Sequence, residues 1–127
     1  MAVFLIDGAL DALLAYVITN GTQLNICSQL PTTYGNATTK DTYSLGVKTS
    51  ITIGAAGDKS GGGRESVVPE ITDGVVSCTG SVSATHWAIT NGSDTLVAAG
   101  TLSAPQTVTD GNTFTLAAFA IGIPDAT

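Results

Sequence analysis

Turn-forming dipeptides interrupt this chain at short intervals and limit the length of any regular element between them. They are Asn20-Gly21, Asp73-Gly74, Asn91-Gly92 and Asp110-Gly111. Asn, Asp and Gly tolerate the positive φ angles that tight hairpin turns require. Short segments of alternating apolar and polar residues lie around these pairs, which predicts strands. We therefore expect a mainly β fold, an antiparallel β-sandwich or curled sheet of about six to eight strands.

One segment near the N-terminus has a helical period instead. Asp7 is a candidate N-cap, and Asn20-Gly21 supplies a stop signal. The apolar residues between them recur three and four positions apart and are Leu10, Leu13, Leu14, Val17 and Ile18. The spacing predicts an amphipathic helix over about residues 8–19 that closes the core of the sheet, with docking into a partner as the alternative.

The length of 127 residues supports one domain, 1–127. After the helix, "TQLNICSQ" alternates like a strand, and the polar segment from Thr32 to Tyr43 is expected to be a long surface loop. A short strand or helical turn follows in "YSLGVKTSITIG". The glycines of "GDKSGGGRESV" come after Lys59 and Ser60, which is the reverse of a nucleotide-binding loop, so this segment predicts a turn with positive φ.

The single His lies next to the single Trp, in "ATHWAIT". In a strand, Trp87 shares a face with Thr85 and Ile89, whereas His86 shares the opposite face with Ala84 and Ala88. Trp87 and Ile89 are therefore expected to be structural anchors in the core, and His86 a surface or interface residue. Further anchors are expected in a last strand, where a bulge near Ala117-Ala118 would turn the apolar residues of both parities inward. Those residues are Phe114, Leu116, Phe119, Ile121 and Ile123.

Four basic and ten acidic residues give a formal net charge of -6, which argues against a nucleic-acid partner. The apolar start "MAVFLIDGAL" has no basic residue and contains Asp7, which fits neither a signal peptide nor a membrane span, so synthesis in the cytoplasm is expected. Cys27 and Cys78 have no partners at metal-ligand spacing. They are expected to be buried thiols, and a disulfide between them stays open.

No catalytic motif is recognisable. A catalytic triad would depend on His86 alone, and "TNGSDTL" lacks the spacing of a nucleophile elbow. Asp73, Asp94 and Asp110 stand beside turn residues, where Asp commonly bonds to the local backbone. The sequence therefore predicts a protein that is not an enzyme and has no cofactor and no metal site.

Taken in order, several segments resemble the small structural proteins of tailed bacteriophages that are described as decoration, head-fibre or tail-fibre proteins. They are "NGTQLNICSQLPTTY", "GVKTSITIG", "GDKSGGGRESV", "ATHWAIT", "GTLSAPQTVTDGNTFTL" and "FAIGIPD". The resemblance covers most of the chain and carries no catalytic residue. It implies a virion protein in many copies, most specifically a capsid decoration (cement) protein that binds the major capsid protein, and a homo-oligomer.

Two alternatives stay open at this point. One is a tail, neck or baseplate fibre component, which would contact other virion proteins, and the other is a host-surface carbohydrate-binding module. Candidate partner contacts lie on the loops from Thr32 to Tyr43 and from Ala55 to Arg64, because rigid strands leave loops to meet partners. The side chains singled out for such contacts are Tyr34, Tyr43, Arg64 and His86.

Overall fold

The computed structural model describes residues 6–124, and the fold is mainly β, as the turn pattern predicts. The apolar run Met1–Leu5, and with it part of the signal-peptide and membrane-span question, lies outside the described residues. Within residues 6–124, no helix is long and apolar enough to cross a membrane. The elements in chain order are α1 (Asp7–Asn20), β1 (Gln23–Cys27), α2 (Tyr34–Thr38), β2 (Ser44–Lys48), β3 (Gly57–Asp58), β4 (Arg64–Val68), β5 (Ile71–Val76), β6 (Ser81–Thr90), β7 (Leu96–Thr109), β8 (Thr113–Leu116) and β9 (Phe119–Ile123).

Six strands form one antiparallel sheet in the order β7-β6-β1-β2-β5-β8. Its two edge strands, β7 and β8, are consecutive in the chain and are joined by the turn Asp110-Gly111-Asn112. Such a short link requires the sheet to curl until its edges face each other. Near the turn, Gln106 Nε2 donates to the carbonyl oxygen of Thr115 at 2.9 Å, from one edge to the other. The predicted curled sheet is confirmed.

The long edge strand β7 contains Pro105. Proline has no N–H and is tolerated in sheets chiefly at edges and bulges. The pairing of β6 with β7 shifts between Ala84 and His86, so Pro105 lies where the ladder is interrupted.

The turn predicted at Asn91-Gly92 is present in the hairpin from β6 to β7. There, Asn91 Oδ1 accepts from the N–H groups of Ser93, Asp94 and Thr95.

A second sheet has the order β3-β4-β9. The hairpin between β3 and β4 contains Gly61, Gly62 and Gly63, all with positive φ, as the glycine run predicts. The expected bulge at Ala117-Ala118 is wrong, because the chain leaves the six-stranded sheet there and enters the smaller one.

The apolar residues on either side of this crossing still meet in one core. Phe114 is buried, and Leu116, Phe119 and Ile121 pack against the same cluster from partly buried positions. Ile123, the last residue of β9, pairs with Arg64, the first residue of β4. The chain therefore reaches the core from two sheets instead of one bulged strand.

Asp73-Gly74 does not form the predicted turn. Both residues lie inside β5, where the pairing with β8 shifts between Ile71 and Gly74. A Cβ atom on Gly74 would overlap the ring of Phe114. Glycine is present because the largest fully buried side chain of the core covers the backbone of β5 at this point.

Helix α1 extends one residue beyond each end of its predicted span. Ile6 occupies the N-cap position without a side-chain cap, so Asp7 is the first helical residue and not the predicted N-cap. Leu10 and Leu14 are fully buried, and Val17 and Ile18 pack against the core. Leu13 does not join them, because it faces solvent with 57% of its surface exposed.

The predicted loop from Thr32 to Tyr43 contains a short helix, α2. Thr33 caps it by accepting from the N–H of Asn36 at 3.0 Å. Ala37 is buried against Cys27 and Ala88, on the face of the sheet opposite the main core. A Thr N-cap, one small apolar contact and the bonds from the hydroxyls of Thr38 and Thr39 to helix carbonyls stabilise a helix in a segment whose composition favours turns.

We expect Gly74→Ala to lower the free energy of unfolding by about 1 to 3 kcal/mol, because the added methyl group must displace the ring of Phe114. Gly57→Ala is the matched control, since a Cβ on this strand glycine would meet no atom within 4 Å. Urea unfolding of the three proteins measures the difference. Equal destabilisation by both substitutions would contradict the packing described for Phe114.

Candidate binding surfaces

His86 lies on β6 with its Nδ1 2.8 Å from the hydroxyl oxygen of Thr85. That hydroxyl donates its only hydrogen to the carbonyl oxygen of Ser28 at 3.0 Å. The imidazole therefore donates to Thr85 through Nδ1–H, which is the wrong direction for a base that activates a hydroxyl. Among the hydrogen bonds and ion pairs of residues 6–124, none joins His86 to a carboxylate.

The two faces of β6 differ from the prediction at one position. Ile89 is buried and Trp87 is partly buried, and both belong to the main core, whereas Ala88 packs on the opposite face with Cys27. Ala84 was expected on the side of His86, but it lies in the main core. The cause is the shift in pairing between Ala84 and His86, which reverses the alternation of side chains.

Cys27 and Cys78 are both free and buried, as expected of structural thiols. They belong to different apolar clusters, Cys27 beside α2 and Cys78 in the main core. Burial raises the pKa of Cys27 to about 12 and, together with the charges of Asp110 and Asp41, raises that of Cys78. Within the described part of the chain, no three His, Cys, Asp or Glu residues cluster as metal ligands would.

An apolar cleft of about 330 Å³ opens between β7 and the connection from β8 to β9; we call it the seam cleft. Trp87 lines it, and its ring centroid is 4.7 Å from that of Phe119, with the planes tilted by 42°. Gly100 leaves room for the Trp87 ring, since a Cβ there would lie 2.7 Å from Cζ2. Three of the expected anchors, Trp87, Leu116 and Phe119, therefore line this cleft and are only partly buried. Its apolar lining suits an apolar side chain.

Arg64 was expected to contact a partner, but it is held within the chain. Its Nε donates to Asp11 Oδ1 at 2.7 Å and its Nη2 to Oδ2 at 3.2 Å, and Nη1 donates to Asp58. The hydrogen bond to Asp11 is the main cause that raises the pKa of Arg64 above its already high value. Only 16% of the side chain is exposed, so Arg64 fastens α1 to β3 and β4.

The two tyrosines singled out from the sequence occupy different places. Tyr34 lines a second cleft, between α2 and the β1–β2 pair. Most residues that line it have polar side chains, and we call it the polar cleft. Tyr43 precedes β2, and its carbonyl oxygen accepts from the N–H of Ser28 at 2.9 Å. Tyr43 lines neither of the two clefts.

Sequence reasoning missed a surface on α1. Ile6, Leu13 and Tyr16 are 62%, 57% and 55% exposed, and with Ala9 and Ala12 they form one stripe, which we call the outer face of α1. Their spacing of three and four residues places them together along the helix. The signal was in the sequence, because α1 has more apolar residues than the face toward the core can bury.

No protein-family model, no curated protein and no solved structure matches this chain. The resemblance to phage structural proteins therefore stays a prediction from motifs.

We expect Trp87→Ala to lower the free energy of unfolding by about 3 to 5 kcal/mol, because it removes contacts with the core and with Phe119. His86→Ala should cost less than about 1 kcal/mol, since it removes one hydrogen bond at a half-buried position. Chemical unfolding compares the two. A stable Trp87→Ala variant would contradict the anchoring role of Trp87.

The two thiols should resist alkylation in the folded protein. At about pH 8, a thiol whose pKa is about 12 is ionised in only about one molecule in ten thousand, and the thiolate is the reactive form. Both thiols should react once the chain is denatured. Ser93→Cys, at an exposed position in the hairpin, is the control that should react in the folded state. Reaction of Cys27 or Cys78 at the rate of that control would contradict their burial.

Proposed function

We propose that this protein is a structural component of a tailed-bacteriophage virion, and specifically a capsid decoration protein that binds the major capsid protein and stabilises the head. The motif resemblance supplies the class. The observation that carries the proposal is the outer face of α1, an apolar surface with no partner within the described residues.

A helix that carries apolar residues on a second face besides the one toward the core normally has that face covered. The outer face has no charged side chain, although the protein as a whole has a net charge of -6. Acidic copies can therefore contact a lattice through this face without placing like charges at the contact. Arg64 holds the helix through Asp11, so the face is presented in a fixed position and loses little entropy on binding.

Such a protein stabilises a shell through the sum of many weak contacts, one for each bound copy. Burial of Leu13 and Tyr16 from their present exposure would contribute roughly 1 kcal/mol each, which is modest for one copy. Many copies that bind the assembled shell better than its free subunits stabilise that shell by mass action. This explains how a small acidic β domain without a catalytic constellation in its described part would serve a capsid.

Particles that lack the protein should assemble and then rupture at a lower temperature, and addition of purified protein should restore resistance. The double variant Leu13→Gln/Tyr16→Gln should fold but fail to restore it, because its outer face is polar. Val75→Gln is the matched control, since Val75 is also 57% exposed but lies on β5. Thermal rupture of stripped and restored capsids is the measurement.

Localisation of the protein in intact particles by electron microscopy separates head from tail. Equal rupture temperatures with and without the protein, together with density at the tail, neck or baseplate, would replace the capsid proposal with the fibre alternative. Restoration by the double variant as efficient as by the wild type would exclude the outer face of α1 as the contact.

A further inference from the structure

The polar cleft lies between α2 and the β1–β2 pair, and its volume is about 340 Å³. That volume is near the lower end of the range of about 300 to 1,000 Å³ that small-molecule sites occupy. The polar side chains that line it include Gln23, Asn25, Ser44, Tyr34 and Lys40. No carboxylate lines the cleft among the described residues.

Asn25 is an unusual residue for its position. It lies on β1, a central strand of the six-stranded sheet, with only 3% of its surface exposed. Asn is unfavourable in strands, and burial of its amide costs free energy unless hydrogen bonds compensate. Further along the same face of β1, Cys27 is covered by α2 in an apolar cluster. On this face of β1, Gln23 and Asn25 therefore border the cleft, whereas Cys27 lies under α2.

These side chains form a fixed floor with unused bonding capacity. Asn25 Nδ2 donates to Ser44 Oγ at 3.0 Å, and Gln23 Nε2 donates to Asn25 Oδ1 at 3.4 Å. Among the hydrogen bonds of the described residues, the second Nδ2 hydrogen of Asn25 and the hydroxyl hydrogen of Ser44 have no acceptor. The floor thus offers donors together with the amide oxygen of Gln23.

The wall beside this floor is also held in place. Tyr34 begins α2, and its carbonyl oxygen accepts from Thr38 Oγ1 at 2.9 Å. The turn that carries Lys40 is fastened by Asp41, whose carboxylate accepts from the N–H and the hydroxyl of Thr79 at 2.7 and 2.8 Å. These bonds hold the backbone of Tyr34 and Lys40 beside the amides, and both side chains line the cleft.

We propose that the polar cleft binds a saccharide of one or two residues. A sugar presents hydroxyl groups that both donate and accept, which matches a floor of amides and hydroxyls, and an apolar face that can lie on the ring of Tyr34. Lys40 alone cannot hold a polyphosphate, and the acidic protein repels one. Lys40 can bind a single carboxylate, so the ligand can be either a neutral sugar or an acidic sugar with one carboxylate. The proposal does not depend on the virion role, because no residue that lines the cleft belongs to the outer face of α1.

The test uses the isolated protein and a panel of glucose, galactose, mannose, N-acetylglucosamine and glucuronic acid, followed by amide chemical shifts. One or more sugars should shift signals of β1, α2 and β2 and leave those of α1 unchanged. Tyr34→Ala should weaken binding roughly tenfold, which corresponds to the loss of one aromatic contact. Tyr34→Phe should retain it, since the ring remains.

Tyr16→Ala is the matched control, because it removes an exposed tyrosine from another helix. Lys40→Ala should weaken only glucuronic acid if the cation binds a carboxylate, and affect all sugars equally if it acts as a hydroxyl donor; both results support the site. No localised shift with any sugar of the panel, or binding that survives Tyr34→Ala unchanged, would overturn the proposal.

Discussion

The short turn between β7 and β8 is the constraint on which the rest of the structure depends. Two edges of a six-stranded sheet can be joined by Asp110-Gly111-Asn112 only if the sheet closes on itself at that end. The turn is also bonded to β5, where the pairing with β8 continues: Val76 donates its N–H to the carbonyl oxygen of Asn112 at 2.9 Å, and Gly111 donates its N–H to the carbonyl oxygen of Val76 at 3.2 Å. Beyond Gln106 the two edges separate, and the seam cleft is the resulting gap. The enclosed core and the open cleft therefore have one origin.

Two of the four cations form ion pairs within the chain. Arg64 is held by Asp11 and Asp58, and Lys48 donates to Asp73 at 2.9 Å. That hydrogen bond is the main cause that lowers the pKa of Asp73, although the pair is exposed and contributes little stability. Outside these pairs the acidic residues outnumber the two other cations, Lys40 and Lys59, so two copies meet least repulsion at uncharged regions such as the outer face of α1.

Local chemistry explains which parts of the fold could be predicted. The hairpin after Thr90, the glycine turn before Arg64 and the helix depend on residues next to each other in sequence, and all three are present. Gly74 was wrongly assigned to a turn, because the residue that requires a glycine there is Phe114, which lies on another strand. A tyrosine within a polar segment gives no sign of a cleft, because its floor comes from β1 and β2.

The same limit applies to the candidate surfaces. Arg64 looked like a free cation because its main partner, Asp11, lies 53 residues away. Trp87 was correctly placed on the side of the core, but its half-exposed position beside Phe119 depends on the crossing between two sheets. Pairings of this kind are decided by topology, which short-range patterns do not specify.

The outer edge of β7 has a consequence for association between copies of the chain. An open strand edge is a template on which another chain can add a strand, and repeated addition produces aggregates. Pro105 offers no N–H to such a chain, and the shifted ladder around it bends the edge away from a flat strand. An interruption that weakens the pairing of β6 with β7 therefore also makes this edge a poor template for strand addition.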